Sequence, residues 1–315
     1  MNKSDQETSN DNPNVIDDEI DLRELFQAIW KGAKLIILTT SAVAIGSVVF
    51  ALLLSNYYQS QSILMVGSDS QDKGLLSQYS GVASMMGVKL PGSSGDGKAM
   101  EAIELIKSRK FVKHLIEFEN ILPSIMASKS FDSGSKQLIF NEETYDSETK
   151  TWKREPNKNG IIKPTYLEAH QVYTGSLMSI SQDKETGFIL IDVEHLSPVF
   201  AKEFLELIIR EADTLLREKD LEESSQALKY LKSQLANTSF AAIRESIHVL
   251  MERQLQTQMM AKISNEYILE VIEPPFVPEE KSRPHKSMIV ILATIIGGFL
   301  SVMFVIARHY LFRKR

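Results

Sequence analysis

The segment LIILTTSAVAIGSVVFALLL occupies residues 35–54 and contains no charged residue. A second uncharged segment, MIVILATIIGGFLSVMFVIA, occupies residues 288–307. Each has 20 residues, which as a helix would span roughly 30 Å, the thickness of the hydrocarbon core of a bilayer. A core helix of a soluble protein rarely keeps so long a run free of charge. The two segments therefore predict two transmembrane helices, one near each end of the chain.

The first segment differs from a cleaved signal peptide. It follows 34 residues that hold 4 basic and 8 acidic groups, whereas a signal peptide is shorter and begins with a basic region. Apolar residues recur at helical spacing just before it, at Ile20, Leu22, Leu25, Phe26, Ile29 and Trp30. We therefore predict an uncleaved anchor that follows a cytoplasmic tail with an interfacial amphipathic helix.

Basic residues beside the two segments predict the orientation in the membrane. Lys31 and Lys34 precede the first segment, and the next basic residue after it is Lys73. The tail at residues 308–315 holds 4 basic and no acidic groups. Three basic residues also precede the second segment, but long domains are translocated largely regardless of charge. Both termini are predicted to lie in the cytoplasm and residues 55–287 outside it, with membrane lipid around the two spans.

Composition argues against several classes of function. The chain carries 35 basic and 41 acidic residues, without the concentrated positive charge that a nucleic-acid partner requires. The absence of cysteine excludes disulfides and thiolate metal sites. The histidines are scattered without metal-ligand spacing, and no nucleophile elbow or paired-acid constellation stands out. A pair of distant carboxylates would leave no such signature, but we predict no catalytic residue, no metal and no cofactor.

One stretch imitates a nucleotide site. Residues 92–99, GSSGDGKA, fit the pattern G-x-x-x-x-G-K, in which backbone N–H groups hold a phosphate. Ala99 stands where a Ser or Thr would bind magnesium, and no strong apolar strand precedes the stretch. The predicted orientation also places it away from cytoplasmic ATP. We interpret residues 67–98 as a flexible Gly- and Ser-rich loop.

The residues between the spans predict an elongated α+β domain. Residues 57–66 and 267–272 are typical of strands, residues 177–193 of a hairpin, and residues 99–118 of a helix. Apolar residues then keep the helical period from 198 to 262, which would extend roughly 100 Å as one helix.

The long helix has one weak point and one repeating feature. The weak point is Asn237-Thr238-Ser239, where the helix could be kinked. Leu221, Leu228 and Leu235 are spaced seven apart, so they could form a seam between copies of the chain. The alternative is that all three pack within their own subunit.

A proline-rich connector precedes the second span. Pro274, Pro275, Pro278 and Pro284 cannot join a helix or a central strand and favour an extended, stiff segment. Three of them share a period of three, which would place them on one edge of such a segment. A generic juxtamembrane linker is the alternative reading.

Small residues recur four apart in both spans. They are Ala293, Gly297 and Ser301 in the second span, and Ala42 and Gly46 in the first. Such spacing allows helices to approach closely, although chance produces it often in apolar segments. It is a hint that helices pair here.

These features together resemble the Wzz-type chain length determinants, the polysaccharide co-polymerases of Gram-negative inner membranes. The motifs that carry the resemblance are EIDLRELFQAIWKG, EAIELIKSRKFVKHLIE and IRESIHVLMERQLQTQMMAKISNEYILEVIEPPFVPEEKSRPHK. The resemblance covers residues 17–312. Lys281 stands where the family usually has a further proline, and the chain resembles the class without a kinase domain.

The resemblance implies a regulator that sets the modal length of O-antigen or a related surface polysaccharide. It implies a homo-oligomer in the bacterial inner membrane that acts with the polymerase, with the growing glycan as a further candidate partner. A membrane-anchored periplasmic adaptor for polysaccharide export is the alternative. A two-span sensor would need cytoplasmic signalling machinery. The predicted organisation is a tail at 1–34, a span at 35–54, a periplasmic domain at 55–287 with its connector at 274–286, a span at 288–307 and a basic tail at 308–315.

Overall fold

The computed structural model describes residues 22–66, 94–237 and 239–313. The chain divides into two compact units, a terminal unit of residues 1–54 and 285–315, and a central domain of residues 55–284. Residues 1–21 of the predicted first tail and residues 67–93 of the predicted Gly-rich loop lie outside the described residues. Helix α1 (Leu22–Leu53) and helix α8 (Lys286–Arg313) form the described part of the terminal unit.

The central domain contains eight strands and six α-helices among its described residues. In chain order they are β1 (Tyr58–Val66), α2 (Ser94–Lys107), α3 (Arg109–Leu115), α4 (Ile121–Met126), β2 (Ser128–Asp132), β3 (Gln137–Phe140), β4 (Tyr145–Asp146), β5 (Thr151–Trp152), α5 (Tyr166–Val172) with a following π-helical turn (Tyr173–Leu177), β6 (Met178–Gln182), β7 (Ile189–His195), α6 (Pro198–Asn237), α7 (Ala241–Ile263) and β8 (Leu269–Glu273).

Both helices of the terminal unit are long and apolar enough to cross a membrane. The qualifying stretches are Trp30–Leu53, with 24 residues, and Lys286–Arg308, with 23. Large side chains along them are exposed, among them Phe50 and Phe299, which suits contact with lipid and not burial in a soluble core. The amphipathic segment that the sequence indicated as a separate interfacial helix is continuous with the first span in α1.

Small residues bring α1 and α8 together. A Cβ on Gly297 would lie 2.7 Å from Cγ1 of Val43, so this approach requires glycine. The hydroxyl oxygens of Thr39 and Ser301 lie 2.5 Å apart and share a hydrogen bond. The hint of helix pairing is therefore confirmed for α8. Gly46 of α1 does not take part in a close approach, because a Cβ there would meet no atom within 4 Å.

A four-stranded antiparallel sheet forms the centre of the central domain, in the order β6–β7–β1–β8. Strand β1 pairs with β7 from Tyr58 opposite His195 to Leu64 opposite Ile189. Alternate side chains of β1 are buried, as the period of two requires for a half-covered sheet. The tight turn between β6 and β7 uses Gly187 at φ 76°, which favours glycine.

The core lies between one face of this sheet and helices α2 and α6, with α3 and α5 packed alongside. Apolar side chains that are almost fully buried fill it, and the largest are Tyr173, Phe111, Phe204, Leu64, Ile106, Leu115, Ile189, Ile191, Leu205, Ile208, Leu216 and Leu269. Strands β2–β3 and β4–β5 form two small separate sheets in the polar region that follows α4.

The long helical stretch folds back on itself. Helix α6 has 40 residues, about 60 Å at the usual rise, and α7 packs against it. The guanidinium of Arg217 in α6 donates to the carbonyl of Ala261 in α7, so the chain reverses direction close to residues 237–240. The expectation of one helix from 198 to 262 is therefore wrong, and the weak helix formers at Asn237 and Ser239 mark a reversal and not a kink.

The predicted helix at residues 99–118 is also divided. Helix α2 begins at Ser94, inside the stretch that the sequence indicated as a loop, and ends at Lys107. The hydroxyl of Ser108 then accepts a hydrogen bond from the backbone N–H of Phe111 and starts α3. The predicted α+β fold class is nevertheless confirmed, with a very long helix in the domain and one candidate membrane helix before it and one after it in the chain.

Candidate functional site

The proline-rich connector lies directly after β8, and its prolines differ in burial. Pro275 and Pro278 are buried, Pro284 is half-buried and Pro274 is exposed. Lys281, which interrupts the series of prolines spaced by three, is exposed. The buried prolines lie on the edge that the sequence period indicated, so this edge faces the central domain.

Two buried serines of β1 hold the first part of the connector. The hydroxyl of Ser60 donates to the carbonyl of Phe276 at 2.7 Å, and that of Ser62 donates to the carbonyl of Glu273 at 2.6 Å. Both serines have no exposed surface. A buried hydroxyl without a partner is unfavourable. The hydrogen bonds to the two carbonyl groups therefore explain how both serines can be buried.

The end of the connector returns to the start of β1. The backbone N–H of Tyr57 donates to the carbonyl of Arg283, and the N–H of Ser282 donates to the carbonyl of Tyr57, each at 2.8 Å. On the neighbouring strand β7, the carboxylate of Glu194 accepts from the Ser282 hydroxyl at 2.6 Å and from Arg283 Nε at 2.7 Å. The connector is thus fixed to the sheet at both of its ends.

Helix α6 fixes the segment that leads into β8 and the connector. The carboxylate of Asp213 accepts the backbone N–H groups of Tyr267, Ile268 and Leu269, the shortest at 2.7 Å. The neighbouring Arg217 pairs with Asp213 at 3.0 Å and donates to the carbonyls that end α7. One turn of α6 therefore satisfies the backbone of the turn between α7 and β8.

Lys98, the last residue of the phosphate-loop pattern, belongs to this packing. Its ammonium group lies 2.7 Å from Oδ1 of Asp220 and 3.2 Å from Glu101. Burial lowers the pKa of Lys98, but the hydrogen bond and the charge of Asp220 outweigh it and raise the pKa. Residues 92 and 93 of the pattern lie outside the described residues. Lys98 is engaged in joining α2 to α6.

The three leucines of the predicted seam lie in the C-terminal half of α6. Leu228 is 7% exposed in the single chain, whereas Leu221 and Leu235 are half-buried. The burial of Leu228 favours the alternative that it packs within its own subunit. The seam itself stays a prediction.

Metal-ligating side chains do not cluster in the described part of the chain. No group of three or more His, Asp or Glu side chains there could hold a metal ion. His195 is buried in the core and uses its ring nitrogens on backbone groups of Ser124 and Ser197. The prolines were visible in the sequence, but Ser60, Ser62 and Glu194, which hold the segment around them, were not.

Two family models match the ends of the chain. Residues 18–118 match the model "Wzz: Chain length determinant protein", and residues 241–310 match "GNVR: G-rich domain on putative tyrosine kinase". The second match covers α7, β8, the connector and most of α8. No curated protein matches the chain.

Two solved structures are similar to the chain at low identity. A full-length bacterial polysaccharide co-polymerase is 11% identical, with a TM-score of 0.44, and the match covers 93% of this chain and 99% of that one. A fragment of WzzB, a polysaccharide co-polymerase from Salmonella Typhimurium, is 10% identical, with a TM-score of 0.33, and the match covers 72% and 100% of the two chains. Neither is similar enough for residue roles to be carried over.

The family models match both regions that carried the sequence motifs. The first includes EIDLRELFQAIWKG and EAIELIKSRKFVKHLIE, and the second includes the whole motif that ends in the connector. The resemblance to the Wzz-type chain length determinants is thereby confirmed, with the chain length determinant model matching residues 18–118 and the second model matching residues 241–310.

Proposed function

We propose that this protein regulates the modal chain length of O-antigen or a related surface polysaccharide, without catalysing a reaction itself. The match of residues 18–118 to the chain length determinant model carries the proposal. The fixed connector between the central domain and α8 supports it, because a regulator of this kind needs a defined link between domain and membrane.

The proposed setting is the bacterial inner membrane, with both termini in the cytoplasm and the central domain in the periplasm. Two apolar helices able to cross a membrane support this arrangement. The basic residues at 31, 34 and 308 support the orientation, because positive charge accumulates on the cytoplasmic side. We place the polysaccharide polymerase among the partners on the basis of the family resemblance, and the growing glycan as a further candidate.

The proposed functional state is a homo-oligomer. Helix α7 supports this, because in the single chain it buries only Ile247 and Ala261 fully. Many of its large apolar side chains are about half exposed or more, namely Ile243, Val249, Leu250, Leu255, Met259, Met260 and Ile263. So many exposed apolar side chains on one helix are typical of an interaction site.

The connector is proposed to fix the direction in which the chain leaves the central domain. Proline restricts φ to about −65°, and glycine removes that restriction. Replacing Pro275 and Pro278 together by glycine should therefore shift the glycan length distribution while the protein still inserts and accumulates. Gel electrophoresis of the surface polysaccharide measures the shift.

The exposed Pro274 offers a matched control, since Pro274→Gly makes the same chemical change without removing a buried ring. It should leave the distribution closer to wild type than the double variant does. A double variant with the wild-type distribution would make the connector a passive linker.

A deletion strain tests the function as a whole. Loss of the preferred length with polymer still present is the expected result, and expression of the chain should restore the preferred length. Loss of all polymer would instead favour the alternative role, a periplasmic adaptor for polysaccharide export.

A further inference from the structure

Glu194 breaks the burial pattern of strand β7. The side chains of Ile191, Val193 and His195 face the core and are buried, so Glu194 belongs to the opposite face of the sheet. Its neighbour on that face, Asp192, is only half-buried, whereas Glu194 is 9% exposed. The residues that cover Glu194 come from the connector.

The carboxylate of Glu194 is engaged by two consecutive connector residues. Oε1 accepts from the Ser282 hydroxyl at 2.6 Å and from Arg283 Nε at 2.7 Å, and Oε2 pairs with the Arg283 guanidinium. The Arg283 side chain is 67% exposed on its outer side. The fork of an arginine matches a carboxylate in two directions at once, so the pair fixes orientation as well as distance.

The same two residues form the backbone bridge to Tyr57, at the point where the chain enters the central domain. Glu194 therefore acts on the place where the entering and leaving segments lie side by side. An ion pair with one exposed partner contributes little net stability, but it can specify one arrangement among several.

We propose that Glu194 is a positioning residue, which holds Ser282 and Arg283 so that the connector leaves the central domain beside Tyr57. This inference rests on the proposed function, because it names the contact through which the sheet would direct the connector. The Glu194 carboxylate, the Ser282 hydroxyl and the Arg283 guanidinium form this contact, which we call the connector latch.

Trypsin reports on the latch directly, since it cleaves after Lys281, next to Ser282. In Glu194→Gln the amide still accepts from Ser282 but loses the ion pair, so the full-length protein in membranes should be cut after Lys281 about tenfold faster. Ser282→Ala removes the hydroxyl that donates to Glu194 without changing a residue of the sheet. It should also accelerate cleavage after Lys281. Glu273→Gln, the same chemical change at an exposed site at the end of β8, leaves the residues next to Lys281 unchanged, so it is the matched control and should cut at the wild-type rate.

The glycan length distribution is measured for the same variants in the deletion strain. Faster cleavage together with an altered distribution supports the proposal, provided that resistance elsewhere in the central domain is unchanged. An unchanged cleavage rate in both latch variants overturns the latch, and faster cleavage with a wild-type distribution overturns its positioning role. A wild-type chain that fails to restore a preferred length would refute the proposed function instead, while the trypsin result would still decide whether the latch exists.

Discussion

His195 shows at the scale of one residue how the core sets a charge state. Its Nδ1 accepts the backbone N–H of Ser197 at 3.1 Å, and its Nε2 lies 3.0 Å from the carbonyl of Ser124, to which it donates. Both contacts are satisfied at once only by the neutral ring. Burial lowers the pKa of His195 to about 4. The ring thus joins β7 to α4 and to the start of α6 as an uncharged group.

The pKa of His195 predicts a pH dependence of stability. The unfolded chain takes up a proton near pH 6.5, whereas the folded protein does so only near pH 4. Between these values the unfolded state binds more protons, so this contribution to stability is complete above pH 6.5 and is lost as the pH falls towards 4. The full loss corresponds to about 3 kcal/mol. Urea unfolding of the full-length protein, followed by the fluorescence of Trp152, measures it.

His195→Gln is the control for this prediction, because an amide can donate and accept but does not titrate in that range. Its free energy of unfolding should depend less on pH between 6.5 and 4 than that of the wild type. Parallel pH profiles for the two proteins would show that another group is responsible.

Single residues also set the limit of what the sequence could predict about the site. The prolines were visible because proline has an unusual backbone, and two of the three that share a period of three, Pro275 and Pro278, are buried. Ser60, Ser62 and Glu194 were not visible, since a polar residue in a strand is usually exposed. Their burial depends on a segment more than 80 positions away in the chain, at Glu273, Phe276, Ser282 and Arg283. No local pattern carries that information.

At the scale of elements, the helical pair α6–α7 shows a similar limit. Hydrophobic periodicity predicted helix correctly on both sides of residue 238, because each helix has an apolar stripe. The same stripes would serve one extended helix in an assembly or two helices that pack on each other. The hydrogen bonds of Arg217 to the end of α7 show that the two helices pack on each other. Periodicity fixes the type of an element and not the direction of the chain after it.

The two helices predict different results for two leucine substitutions. Leu228 is buried in the single chain, so Leu228→Glu should destabilise the central domain by about 3 kcal/mol or more, because it buries an unpaired carboxylate. Leu255 on α7 is 48% exposed, so Leu255→Glu should change stability by less than about 0.5 kcal/mol. It should weaken the oligomer instead. Protease resistance reports the fold, and chemical cross-linking in membranes reports the oligomer.

An exposed polar site on the same helix gives the baseline for cross-linking, for example Ser246→Glu. Full assembly of Leu255→Glu would remove the apolar face of α7 from the interface. A protease-resistant but dissociated Leu228→Glu would restore the predicted seam of Leu221, Leu228 and Leu235.

At the scale of the whole molecule, the chain is predicted to cross the membrane twice with both termini in the cytoplasm. Reporter fusions at residues 5 and 315 should behave as cytoplasmic, because basic residues at 31, 34 and 308 lie beside the spans on the side of the termini. A reporter inserted at residue 150, in the turn between β4 and β5, should behave as periplasmic. A C-terminal reporter active outside the cytoplasm would refute the arrangement.

The bridge between Tyr57 and Arg283 makes the central domain a portable module. Tyr57 and Arg283 lie next to the two ends of the domain and are hydrogen-bonded to each other, so the domain can be grafted into another two-span protein through two cuts at one point of its surface. For the same reason, a short peptide could join residues 55 and 284 into a ring. New termini could then be opened at the exposed turn near Lys150, which would give a circular permutant without membrane anchors.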